Sequence, residues 1–130
     1  MAEEDQKEPV LNTPELILKD AVLISDRLDM EAQEALSWGG GDAVTCRQKL
    51  EKRARLIVEL PDRVREAMKK GQSFPEGELG ELDNLAELAN RALKDGRPFA
   101  LGAFLKPRGS LEGEPNLLEE LVNELYPPKP

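Results

Sequence analysis

GGGDAVTCRQKLEKRARLIVELPDRVREAMKKG, residues 39–71, holds a chain reversal followed by a long amphipathic helix, and the fold class follows from it. Asp42, directly after Gly39, Gly40 and Gly41, is placed to cap the helix, because the first helical turn leaves backbone amides unpaired. Apolar side chains then recur at Ala43, Cys46, Leu50, Ile57, Leu60, Val64 and Ala67, a spacing that lines one helix face. Pro61 interrupts that run. Proline has no amide proton and crowds the preceding turn, so a kink or a split is expected there without loss of phase. Lys69, Lys70 and Gly71 supply a C-terminal end.

Upstream, Thr13 and Pro14 form a helix start, a capping hydroxyl followed by a proline in the first turn. Ile17, Ala21, Ile24, Leu28, Ala35 and Trp38 then mark an inward stripe, interrupted once at Glu31, on a helix of about six turns. The three glycines stop it, each weakening a helix by about 1 kcal/mol relative to alanine. Two long helices joined by so short a turn form an antiparallel hairpin.

Downstream, residues 71–78 read as a loop. A third helix is expected from Leu79 to Lys94, with Leu82, Leu85, Ala86, Leu88, Ala89, Ala92 and Leu93 on a wide apolar face and Gly96 at its end. Phe99 to Leu105, between Pro98 and Pro107, reads as a short apolar helix. The predicted organisation is a flexible acidic N-terminus over 1–12, a helical bundle over 13–106, a linker over 107–116, an amphipathic helix over 117–126 and a proline-rich tail over 127–130. Neither an internal repeat nor sustained strand-like alternation occurs. The expected class is all-α: a small helical bundle built on a long antiparallel hairpin with shorter C-terminal helices.

Composition narrows the chemistry. Apolar residues make up 39% of the 130 but aromatics only 4%, so the interior must be packed from Leu, Ala, Ile and Val. Histidine is absent and Cys46 is the single cysteine, which removes histidine acid-base chemistry, the usual zinc sites and any intrachain disulfide. Cys46 lies in phase with Leu50 and Leu60 and reads as a small buried hydrophobe. The glycine turn before Asp42 lacks the Lys and Ser/Thr offsets and the preceding strand of a phosphate-binding loop. No calcium-loop pattern of alternating carboxylates appears, so neither a metal site nor a cofactor is expected. An enzyme would have to work with carboxylates, Lys and Arg alone, and nothing in the spacing recommends one.

A net charge of -8 argues against nucleic acid as a partner. The basic cluster Arg47, Lys49, Lys52, Arg53 and Arg55 reads instead as a solvated face that complements the acidic helix before it. Met1 to Pro9 carries four acidic residues and one lysine, unlike a signal or transit peptide. No apolar run approaches the ~20 residues that span a bilayer, so no membrane association is expected. The default location is the cytoplasm, with the nucleus as the alternative.

Two features remain as candidate partner-binding surfaces. Leu118, Leu121, Val122 and Leu125 make an apolar ridge on the last helix. A helix of that length is marginal alone, so the ridge docks either on its own domain or in a partner's groove. Phe99 and Phe104 are two of only three phenylalanines, and either pack in the core or meet a partner. The expected function is a non-enzymatic adaptor or chaperone that binds a helical protein partner through an apolar surface. The alternative is a constitutive helical subunit of an oligomer or hetero-complex.

The order Ala35, Leu36, Gly41, Asp42, Lys49, Leu50, Lys52, Arg53, Leu56 and Leu60 resembles the helical hairpin of bacterial flagellar export chaperones, which are small, helical and commonly acidic. The resemblance covers residues 35–60. It implies that the protein holds a flagellar subunit before export, with the C-terminal helices engaging the client or regulating access.

Overall fold

Thr13 Oγ1 accepts a hydrogen bond from Leu16 N at 3.2 Å and opens helix α1 (Pro14–Ser37). Asp42 Oδ1 accepts from Thr45 N at 3.0 Å and opens α2 (Ala43–Lys69), so both expected caps are formed. The computed structural model describes residues 13–37, 41–107 and 113–127 and adds α3 (Glu76–Asp95), α4 (Pro98–Ala103) and α5 (Leu117–Leu125). It is an all-α bundle, and no strand occurs among the described residues. The expected acidic N-terminus, Trp38 with Gly39 and Gly40, linker residues 108–112 and tail residues 128–130 lie outside the described residues.

Helix α2 is the central element, packed against α1 on one side and α3 on the other. The pairing Lys49–Glu31 at 3.0 Å and the hydrogen bond from Arg53 Nε to Ser25 Oγ at 3.2 Å run in opposite order along α1 and α2, as an antiparallel hairpin requires. Arg65 grips Asp83 of α3 with two hydrogen bonds of 3.0 and 2.6 Å. Pro61 is buried inside an unbroken α2, so the expected split does not occur. Two reversals use glycine in the left-handed region that side chains disfavour: Gly41 at φ 80° and Gly96, the C-cap of α3, at φ 75°.

The buried face of α2 is Cys46, Leu50, Ile57, Leu60, Val64 and Ala67, as the periodicity indicated, but Ala43 is exposed. In α1 the buried line is Ile17, Leu18, Ala21, Ser25, Leu28 and Ala32, rotated from the expected one, with Ile24 and Ala35 only half-buried. The rotation has a physical cause. Ser25 turns inward to accept from a buried arginine, which brings Leu18 and Ala32 into the core and moves Ile24 aside. Helix α3 starts at Glu76, ahead of the expected Leu79, because Pro75 already provides an extended N-cap residue and Glu76 and Glu78 suit the positive end of the helix.

Helix α5 lies antiparallel along α1: Glu119 meets Asp26, Val122 shares a recess with Val22, and Lys19 Nζ sits 5.9 Å from the Tyr126 ring centre. Its start is fixed by a reciprocal capping box, Asn116 N to Glu119 Oε1 at 2.9 Å and Glu119 N to Asn116 Oδ1 at 2.8 Å. Leu117 N also donates to Leu105 O at 2.8 Å, tying α5 to the segment after α4.

The orientation of α1 gives a direct test. Leu18 is fully buried and Leu23 is 64% exposed. In urea unfolding followed by circular dichroism, Leu18→Ala should cost about 2–5 kcal/mol and Leu23→Ala less than about 0.5 kcal/mol. Equal losses would mean that α1 is turned otherwise.

Candidate functional site

The last helix presents no free ridge. Leu118, Leu121 and Val122 are buried in the core and Leu125 packs at its edge, which corrects the reading of these residues as a partner surface in this packing. A nine-residue helix gains stability only by burying its apolar face, and the nearest apolar surface is its own bundle. The short α4 is divided. Leu101 and, just beyond the helix, Leu105 are its buried residues, Phe104 is half-buried, and Phe99 is 85% exposed.

The site that the fold builds instead surrounds Arg53. Its position on α2, between Leu50 and Ile57, belongs to the buried face, and the residue is only 4% exposed. Nε donates to Ser25 Oγ, itself fully buried, and the guanidinium carbon lies 5.4 Å from the centre of the Phe104 ring. Nη1 is buried, with no hydrogen-bond acceptor among the described residues. Asp29 Oδ1 is 4.0 Å away, close enough for attraction and too far for a hydrogen bond. Burial pulls the guanidinium pKa down and the charges of Asp29, Asp26 and Glu119 pull it back up, so the cation is held by a field more than by contacts.

Arg53 lies at the floor of a cleft of ≈ 780 Å³ between α1, the end of α4 and the start of α5. Asp26, Asp29 and Glu34 of α1 face Glu114 and Glu119 across it, and Lys106 is the second cation. Asp26 is pushed up to about 7, chiefly by burial, then by its hydrogen bond to Glu119 and the charge of Glu119; Arg53 opposes the shift. In its protonated form Asp26 donates to Glu119, a contact between α1 and α5. Chemically, this arrangement can hold a cation and exchange a proton near neutrality.

Two other expectations meet the structure at this point. Within the basic cluster, Lys49 pairs with Glu31, while Arg47 and Arg55 reach Glu51 at 3.2 and 3.6 Å, as a solvated face would. Arg53 departs from that reading, and the missing signal was phase: the step from Leu50 to Ile57 leaves a gap in the inward stripe that Arg53 and Ala54 fill. Cys46 is 4% exposed, and burial pushes its thiol up, away from the reactive thiolate. Among the described residues no His, Cys, Asp or Glu group is arranged to hold a metal ion. No helix among them is long and apolar enough to cross a membrane. Comparison with protein-family models, curated proteins and solved structures returned no match.

The Asp26–Glu119 pair sets a pH dependence whose sign is defined. An acid whose folded pKa is raised binds its proton more tightly in the folded chain, so its contribution is fully present below about pH 4 and lost as pH rises through about 7. The urea midpoint should therefore fall between about pH 5 and about pH 8, and Asp26→Asn should flatten that decline. An unchanged slope in the variant would show that another group is responsible.

Proposed function

We propose that the chain is a non-enzymatic binding module that takes a helix of a partner protein on the outer face of α1. The observation carrying this reading is a second apolar line on that helix, Leu16, Leu23 and Met30, exposed by 37%, 64% and 61%. At seven-residue spacing these side chains drift only about 20° per step, and they stand roughly opposite the buried line through Leu18, Ala21 and Ser25. Isolated exposed leucines need no explanation, but an aligned row resembles one position of a coiled-coil seam. Lys19 and Asp26 flank it on one side, and Asp20, Arg27 and Glu34 on the other, an alternation able to select a partner's register. Leu16, Ile17 and Leu23 also line a groove of ≈ 400 Å³ closed by Lys19, Asp20 and Arg63. Holding a client helix before export, which the chaperone resemblance implies, is one form of this activity.

A second reading, a constitutive subunit, is favoured by the opposite end of the hairpin. Leu36, Val44 and Phe99 are 51%, 68% and 85% exposed there. A side chain at Gly96, just before α4, would lie 3.7 Å from the guanidinium of Arg47, one turn after Val44 on α2.

The test compares native-cell capture by the whole chain and by a Leu16→Ser, Leu23→Ser, Met30→Ser variant, with circular dichroism confirming that both are folded. A specific partner should be lost from the variant alone, its affinity reduced at least about tenfold, as expected for loss of apolar anchors worth more than 1.4 kcal/mol together. A partner kept by that variant and lost with Val44→Ser and Phe99→Ser would favour the subunit reading.

A further inference from the structure

Residues 19–27 of α1, KDAVLISDR, carry the same order of charge from either end. A cation stands at each extremity, Lys19 and Arg27, an aspartate just inside it, Asp20 and Asp26, and Leu23 at the centre. Leu16 and Met30 lie at equal distances before and after that leucine. Resting on the reading of the outer face of α1 as a helix-binding surface, we propose that the helix it binds is α1 of a second copy of this chain, laid antiparallel about a two-fold axis through Leu23.

In that register Leu23 meets Leu23 of the second copy and Leu16 meets its Met30. Antiparallel helices related by a two-fold axis set like flanks side by side. The flank bearing Asp20 and Arg27 therefore faces itself in reverse, and Arg27 of each copy stands beside Asp20 of the other. Lys19 and Asp26 repeat the arrangement on the flank beside α5. A parallel pair would set unlike flanks together, Asp20 against Lys19 and Arg27 against Asp26. Those two residues are already engaged, since Lys19 Nζ holds Glu15 at 2.8 Å and Asp26 contacts Glu119. Asp20 and Arg27 are exposed and form no ion pair among the described residues, and of the two orders only the antiparallel gives each to the other. The groove of ≈ 400 Å³ floored by Leu16 and Leu23 adds a steric match, because the same register brings Met30 of the second copy to it. An unbranched thioether adapts to such a hollow. The row stands opposite the buried line of α1, so the two bundles lie on opposite sides of the helix pair. From Leu16 to Met30 the contact runs about 21 Å along each helix. One helix pair of that length buries less than the ~1,200 Å² of a standard stable interface, so the dimer is a reversible one with a Kd of about 10–100 μM.

The test is sedimentation equilibrium of the full chain from about 5 μM to about 1 mM, which should show a monomer–dimer equilibrium. Leu23→Ser, which meets itself at the axis, should weaken self-association at least about fivefold. Arg27→Asp and Asp20→Arg, both at exposed positions and checked as folded by circular dichroism, should each weaken it at least about tenfold, because each makes both contacts of that flank repulsive. Mixing the two charge variants should restore association to within about threefold of the unaltered chain, since in the mixed dimer each reversed charge meets its opposite. A parallel pair allows no such rescue, because there the reversed residues face Lys19 and Asp26 and not each other. A chain monomeric at every concentration, a dimer indifferent to both reversals, or a mixture that fails to recover would overturn the proposal. A monomer whose captured partner is lost with Leu16→Ser, Leu23→Ser and Met30→Ser overturns self-pairing and leaves the stripe reading standing with a foreign helix. A monomer that captures no partner ends both.

Discussion

Burying the guanidinium of Arg53 constrains more of this fold than any apolar contact does. A charge removed from water must be compensated by nearby charge, hydrogen bonds or polarisable surface, or the chain unfolds to rehydrate it. Three neighbouring elements supply parts of that compensation. Helix α1 gives the Ser25 hydroxyl and the Asp29 carboxylate, the end of α4 gives the Phe104 ring, and α5 gives the charge of Glu119. The choice of which α1 face turns inward follows from this, because Ser25 can reach Nε only if Leu18, Ala21 and Ala32 enter the core beside it.

The same compensation produces the surplus of carboxylates. Asp26, Asp29 and Glu119 exceed what one arginine neutralises, and burial, followed by the hydrogen bond to Glu119 and its charge, raises the Asp26 pKa to about 7. That hydrogen bond joins α1 to a helix too short to hold itself. Docking of α5 therefore depends on two unlike terms, the burial of Leu118, Leu121 and Val122 and the state of one carboxyl. The apolar term is insensitive to pH, so only the carboxyl term changes as Asp26 ionises.

The hairpin was legible in the sequence because it rests on local chemistry. Asp42 and Thr13 cap from within their own first turns, Gly96 ends α3 by its own backbone freedom, and the α2 stripe repeats every three or four residues. The cleft was not legible, because it depends on contacts between residues far apart in the chain, as in Arg53 with Ser25, 28 positions away, and on a polar residue occupying an apolar phase. The last helix shows both sides of this. Its amphipathicity was plain from Leu118, Leu121, Val122 and Leu125, yet amphipathicity states only that one face is covered and not by what. Covering by the bundle itself makes that ridge part of the core, whereas Leu16, Leu23 and Met30 on α1 have no such cover among the described residues.

An apolar row beside an acidic cleft divides the work of recognition in a physically sensible way. Apolar rows supply affinity and distinguish poorly among the many helices that present leucines, whereas charge placed at one end fixes direction and register. A partner lying on Leu16, Leu23 and Met30 in the wrong register would bring an apolar or acidic side chain to Asp29 and Glu34 and leave those carboxylates facing unfavourable neighbours. On the proposed reading, the acidic wall acts against wrong partners as much as for the right one.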